Sequence, residues 1–116
     1  MDFKVEMNER GEGVFVASLE GSLNADTVFS FEQKVLPVLV GTVKVMILEM
    51  SGLRYIDSTA LAAVMRQRRT VEESGGRLFV TGLRPRLRDI FQVIHILPDE
   101  CIFNTVDEVT GRLDAK

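Results

Sequence analysis

At Tyr55-Ile56-Asp57-Ser58-Thr59-Ala60-Leu61 the chain passes from a strand pattern to a helical one. The preceding segment, Val43–Met50, is apolar on both faces apart from Lys44 and Glu49, which is typical of a central strand covered on both sides. The following segment has apolar residues at helical spacing. They are Leu61, Val64, Met65 and Val71. A helix is therefore predicted to begin at about Ser58, directly after a buried strand.

The residues at this junction are those that cap helices. Asp57, Ser58 and Thr59 carry side-chain oxygens that accept hydrogen bonds from the free N–H groups of a first helical turn. Such a turn also favours a phosphate, because its N–H groups and the helix dipole both attract negative charge. Two interpretations stay open on this spacing. Either Ser58 only caps the helix, or its hydroxyl is offered to a partner beside the Asp57 carboxylate.

Composition indicates one ordinary globular domain. The chain has 116 residues, of which 46% are hydrophobic and 27% charged, and we treat 1–116 as a single domain. A net charge of -3 argues against nucleic acid and against an anionic membrane as partners. The single cysteine, Cys101, excludes an internal disulfide. No signal peptide or uninterrupted membrane span is evident, so we expect a cytoplasmic protein.

Strand and helix patterns alternate along the chain after an initial hairpin. This order predicts the α/β class, with a mixed sheet and about four helices packed on it. The predicted strands lie at about 3–7, 14–19, 43–50, 77–81 and 102–103, and the predicted helices at about 25–40, 58–74, 85–93 and 105–113. In the first helix we expect the inward-facing side chains to be Val28, Phe31, Val35, Leu36 and Leu39.

Enzymatic and metal chemistry find little support in the sequence. A serine nucleophile needs a base, and the single histidine, His95, lies in an apolar run where a structural role at a helix end is simpler. One cysteine and one histidine give no ligand cluster, and no phosphate-cradling glycine loop is present. We therefore predict no catalytic residue, no metal site and no cofactor. The remaining class of function is a protein-binding surface. In it an arginine of the second helix, of which Arg66 is the best placed, would contact an acidic partner surface.

Four segments together resemble the STAS domain, which is named for the sulphate transporters and bacterial anti-sigma factor antagonists that contain it. Leu53–Leu61 resembles its Asp-Ser-Ser/Thr-Gly-Leu signature. Three more segments resemble the family, and the four occur along the chain in the family's order and at family-like spacing. The additional three are Glu20–Asn24, Gly75–Val80 and Gly82–Leu87. The resemblance covers nearly the whole chain and implies the STAS fold. The sequence departs from the usual pattern where Ala60 replaces a glycine, Asn24 an aspartate and Ser22 a glutamate. His95 also lies near a position where many members have glycine.

The resemblance implies a binding switch rather than an enzyme. In antagonists of this family a serine-kinase anti-sigma factor phosphorylates the serine after the aspartate, which here is Ser58. The unphosphorylated domain binds that kinase and frees the sigma factor, and phosphorylation ends binding. The implied partner-binding residues are Asp57, Ser58, Thr59, Asn24 and Arg66. The alternative is a STAS subunit used only for assembly in a signalling or lipid-transport complex, with Ser58 as a helix cap. The sequence does not give the oligomeric state.

Overall fold

Five strands and four α-helices make up the computed structural model, which describes residues 2–114. The strands are β1 (Phe3–Gly11), β2 (Val14–Leu23), β3 (Val45–Ile56), β4 (Arg77–Thr81) and β5 (Ile102–Phe103). The helices are α1 (Val28–Leu39), α2 (Ser58–Glu73), α3 (Pro85–Ile94) and α4 (Val106–Asp114), with a single 3-10 turn at Asp99–Cys101. The predicted order of elements is confirmed.

The strands form one mixed sheet in the order β1-β2-β3-β4-β5. β1 and β2 are an antiparallel hairpin, whereas each pair from β2 to β5 is parallel. Parallel neighbours need a crossover segment, and α1, α2 and α3 supply these connections. The structure thus confirms the predicted α/β class with a mixed sheet.

β3 is the central strand, and its length determines where the Asp57 turn lies. Its first half is almost completely buried, as expected for a strand covered on both faces. The strand continues past the predicted end at Met50 and pairs through Ile56 with Leu23 of β2. Pairing with β2 therefore carries the chain to Asp57 at the carboxyl end of the sheet, where α2 begins.

Two side chains predicted to face the core are exposed. Leu36 of α1 and Met65 of α2 have relative accessibilities of 38% and 43%. Gln67, by contrast, is fully buried on α2. α1 also begins at Val28 rather than near Ala25, because the residues before it form a hydrogen-bonded turn. Periodicity identified the two helices but not the full set of residues on their buried sides.

Two helix ends have well-defined local geometry. At the start of α4, the Thr105 hydroxyl accepts from the Glu108 N–H at 3.2 Å, and the Glu108 carboxylate accepts from the Thr105 N–H at 3.3 Å. These two reciprocal hydrogen bonds form a capping box. His95 ends α3 with a left-handed φ of 58°, and its side chain is exposed. It thus lies at a helix end, as predicted.

Replacing Gln67 tests the cost of a buried amide. Among residues 2–114, neither its Nε2 nor its Oε1 has a hydrogen-bond partner. We expect Gln67→Met, which keeps the volume and removes both polar atoms, to raise the free energy of unfolding by about 1 kcal/mol. Urea denaturation measures this difference. Gln92→Met on the exposed side of α3 is the control, expected to change stability by less than about 0.5 kcal/mol. A destabilised Gln67→Met protein contradicts the prediction.

Candidate functional site

Ser58 is the first residue of α2, and its side chain is exposed. Among the described residues, no hydrogen-bond partner lies against its hydroxyl oxygen. The backbone N–H groups of Ser58 and Thr59 likewise have no acceptor within residues 2–114, as is usual in a first helical turn. Ser58 therefore presents a hydroxyl with no structural task, next to two backbone donors.

The residue that caps α2 is Asp57. Its backbone is extended, with φ -109° and ψ 179°, and its Oδ1 accepts from the N–H of Ala60 at 3.0 Å. Ala60 is right-handed helical and completely buried, which explains why alanine fits where the family often has glycine. Because Asp57 makes the cap, Ser58 is not needed for it.

The second Asp57 oxygen joins α2 to the loop between β2 and α1. Oδ2 accepts from the N–H of Ala25 at 3.0 Å, and the Asp57 N–H donates to the Leu23 carbonyl at 3.2 Å. A single carboxylate thus links the start of α2 to the β2–α1 loop, at the carboxyl end of β3. Sequence reasoning identified Asp57 as a helix-capping residue and as part of the partner surface, but it missed this link, because a contact between residues 25 and 57 leaves no local signal.

Asn24 forms hydrogen bonds within the turn that precedes α1. Its Oδ1 accepts from the Asp26 N–H at 2.9 Å, and its own N–H donates to the Thr27 hydroxyl at 2.9 Å. The buried Thr27 hydroxyl donates in turn to the Ser22 carbonyl at 2.9 Å. An asparagine suits this turn because only an acceptor oxygen is required. The Asp57–Ala25 hydrogen bond brings this loop alongside the start of α2.

Arg66 lies farther along α2, roughly two turns from Ser58. Its guanidinium donates to Oε2 of Glu32 at 3.1 Å and so joins α2 to α1. The arginine side chain is 55% exposed and that of Glu32 only 22%. Of the predicted partner residues, Asp57, Ser58 and Thr59 are contiguous, whereas Arg66 sits apart and already has an acidic partner.

Two exposed aromatic side chains on β3 and α1 were not singled out from the sequence. Tyr55 precedes Asp57 by two residues and is 53% exposed, and Phe29 in the first turn of α1 is 68% exposed. Large apolar side chains that remain exposed often mark protein interfaces. The available signal was weak. Phe29 falls off the inward stripe of its helix, and Tyr55 alternates with the buried Ile56.

No metal-binding cluster is found in the part of the chain that the structure describes, taking groups of at least three His, Cys, Asp or Glu side chains. Nor does any helix within residues 2–114 have both the length and the apolar character needed to cross a membrane. The junction of β3 and α2 is the candidate site, where the Asp57 carboxylate lies beside a Ser58 hydroxyl that has no hydrogen-bond partner within residues 2–114.

Removal of the Asp57 carboxylate should destabilise the domain. Asp57→Ala leaves the Ala60 and Ala25 N–H groups without their acceptor, and loss of a helix cap alone costs about 1 kcal/mol. We expect the free energy of unfolding to fall by about 1–2 kcal/mol in urea denaturation. Asp26→Ala is the matched control, since that exposed carboxylate accepts no hydrogen bond among the described residues. Equal stability of the two variants refutes the double role of Asp57.

Comparison with known proteins gives one consistent family. The STAS domain model matches residues 5–109. The chain is 29% identical to the anti-sigma F factor antagonist of Lysinibacillus sphaericus over 115 residues, covering 96% of this chain and 97% of the relative. Among solved structures it is similar to unphosphorylated SpoIIAA, an anti-sigma factor antagonist, with a TM-score of 0.84, 21% identity and coverage of 97% and 98%. It is also similar to phosphorylated SpoIIAA, a Bacillus cell fate determinant, with a TM-score of 0.77 and 21% identity. The match covers 95% of this chain and 99% of the SpoIIAA chain.

Proposed function

Because the chain belongs to the STAS domain family, we propose that it is an anti-sigma factor antagonist that acts as a phosphorylation-controlled binding switch. Unphosphorylated, it binds a serine-kinase anti-sigma factor, which then releases its sigma factor. The kinase phosphorylates Ser58 and the complex separates. The observation that carries the proposal is the exposed Ser58 hydroxyl, which makes no hydrogen bond within residues 2–114 because Asp57 caps the helix.

Known relatives support this assignment. The L. sphaericus protein is named an anti-sigma F factor antagonist and aligns along almost the whole of both chains. SpoIIAA has been solved both without and with phosphate, and both forms have the fold of this chain. A fold that appears in both forms is the kind of scaffold that a switch without large rearrangement requires.

Within the domain, a phosphate on Ser58 meets two opposing influences. It adds about -1.5 to -2 charges next to the Asp57 carboxylate, which repels it. The helix dipole and the open N–H groups of Ser58 and Thr59 attract it. These influences offset one another, so we expect the phosphorylated domain to stay folded.

Across an interface the same phosphate has no such compensation. The described part of the chain has no basic side chain paired with Asp57, and Arg66 is engaged with Glu32. A partner surface that packs on the unphosphorylated turn would have to accommodate a dianion beside an aspartate, at a large desolvation and repulsion cost. The switch therefore needs only that Ser58 lies in the contact area. Tyr55 and Phe29 supply apolar contact area nearby, and Asn24 and Thr59 line the same edge.

The domain itself is proposed to be a binding protein and not an enzyme. The partner kinase binds the ATP and Mg²⁺ needed for phosphate transfer, and it also supplies the base that accepts the serine proton. The Ser58 hydroxyl has no base of its own, since no side chain of residues 2–114 is hydrogen-bonded to it. We expect the protein to act in the cytoplasm, where sigma factors work.

The decisive test is phosphate transfer in a defined mixture. The domain is incubated with a candidate serine-kinase anti-sigma factor and ATP, and the modified residue is identified by intact mass and peptide fragmentation. Phosphate on Ser58 supports the switch. If the domain binds the kinase without being modified, and Ser58→Asp binds equally well, the assembly-only alternative holds instead.

A further inference from the structure

β1 forms an edge of the sheet and, within residues 2–114, is bonded only to β2. It runs from Phe3 to Gly11, so a long row of its backbone donors and acceptors has no partner in the described part of the chain. An uncovered edge of this length is a template for another strand. Its side chains determine which strand fits.

The alternation of β1 is fixed by its bonding to β2. The Asp2 carbonyl accepts from the Ser22 N–H at 3.0 Å, so the even-numbered residues from Asp2 to Asn8 direct their backbone groups at β2. Phe3, Val5 and Met7 consequently direct theirs at the free edge. Their side chains are half-buried on the α1 side, where the Phe3 ring lies 6.4 Å from that of Phe31.

We propose that the edge binds a second copy of this chain, with the two β1 strands antiparallel about a two-fold axis at Val5. In this register Val5 opposes its own copy and Phe3 opposes Met7, so the free backbone groups of all three bond across the axis. Lys4 of each copy then lies opposite Glu6 of the other copy, which gives two pairs of opposite charge. Opposite charges directly across neighbouring strands stabilise the pair.

Other registers that keep the free backbone groups facing each other are less favourable. An axis at Lys4 or at Glu6 sets that residue against its own copy, with like charges in contact. An axis at Met7 sets Lys4 against Arg10. An axis at Asn8 sets Glu6 against Arg10, but Arg10 is already paired with Asp107 and the β1–β2 register is irregular between Glu9 and Gly11. An axis at Phe3 joins only residues 2–4 of the described chain, and Asp2 there is already paired with Arg54.

The two charged side chains are available for this contact. Lys4 and Glu6 are both exposed, and neither forms an ion pair or a side-chain hydrogen bond within residues 2–114. The apolar residues gain as well, because the partly exposed Phe3, Val5 and Met7 become covered by their counterparts. The Ser58 turn follows β3, two strands away from this edge. The proposal is thus independent of the switch, and either can fail alone.

Sedimentation velocity over a concentration series tests the pairing. We expect wild type to dimerise reversibly and Lys4→Glu and Glu6→Lys each to weaken self-association at least about tenfold, because each places like charges opposite twice. Mixing the two variants should restore association, since the all-acidic edge of one then faces the all-basic edge of the other. Native mass spectrometry identifies the mixed dimer.

Glu12→Lys is the matched control for Glu6→Lys, because it makes the same charge change in the β1–β2 turn, outside the paired residues. It should associate like wild type, and thermal melts should show all variants folded. Three results overturn the proposal: a wild type that stays monomeric at the highest concentration, a single variant that self-associates as well as wild type, or a mixture of folded variants that stays monomeric.

Discussion

Ser58→Ala is expected to reduce phosphate transfer from a serine-kinase anti-sigma factor to background. The reason is that the variant lacks the one acceptor oxygen assigned to this role, while the rest of the turn is unchanged. Asp57 still caps α2 through Ala60, and the Ala25 hydrogen bond does not involve Ser58. The loss should therefore appear in phosphate incorporation, measured by intact mass, and not in the stability or in the initial binding to the kinase.

Thr59→Ala is the control for this result. Thr59 carries the adjacent exposed hydroxyl on the same helical turn, so its removal shows whether phosphate transfer depends on Ser58 in particular. We expect Thr59→Ala to be phosphorylated like wild type. Transfer that persists in Ser58→Ala and disappears in Thr59→Ala moves the acceptor by one residue. Transfer that persists in both variants contradicts the assignment of Ser58 as the single acceptor.

The comparison of sequence with structure shows which physical signals are local. The order of elements and the bounds of β4 could be predicted, because apolar alternation and turn residues are local consequences of burial. Leu36 and Met65 could not be assigned correctly, since periodicity records where apolar residues recur and not whether another element covers them. Gln67 is the converse, a polar residue on the buried stripe of α2.

The candidate site divides in the same way. Asp57, Ser58 and Thr59 were recognised together because all three are residues that cap helices. Which of them makes the cap depends on where β3 ends, and that is set by its pairing through Ile56 with β2. The bond from Asp57 to Ala25 and the pairing of Arg66 with Glu32 join distant parts of the chain. A single sequence carries no direct signal for either contact.

Phosphorylation of Ser58 is expected to weaken binding to the kinase partner at least about 100-fold, or about 2.7 kcal/mol. The effect should come from charge at the interface and not from a change of fold. Isothermal titration calorimetry of both forms gives the affinities, and thermal melts of the free domain should be nearly unchanged. Ser58→Asp should reproduce part of the loss, because it adds a carboxylate beside Asp57 in the same first turn.

Two variants separate charge from bulk and from position. Ser58→Asn introduces a side chain of nearly the same size as that of Ser58→Asp but without its charge. We therefore expect the asparagine variant to bind the kinase much more tightly than the aspartate variant. Ser74→Asp adds the same carboxylate at the other end of α2, at an exposed position, and should leave affinity close to that of wild type. If Ser58→Asn binds as weakly as Ser58→Asp, steric exclusion and not charge controls the contact. If the phosphorylated domain binds as tightly as the unphosphorylated one, Ser58 lies outside the interface and a switch at this turn is wrong.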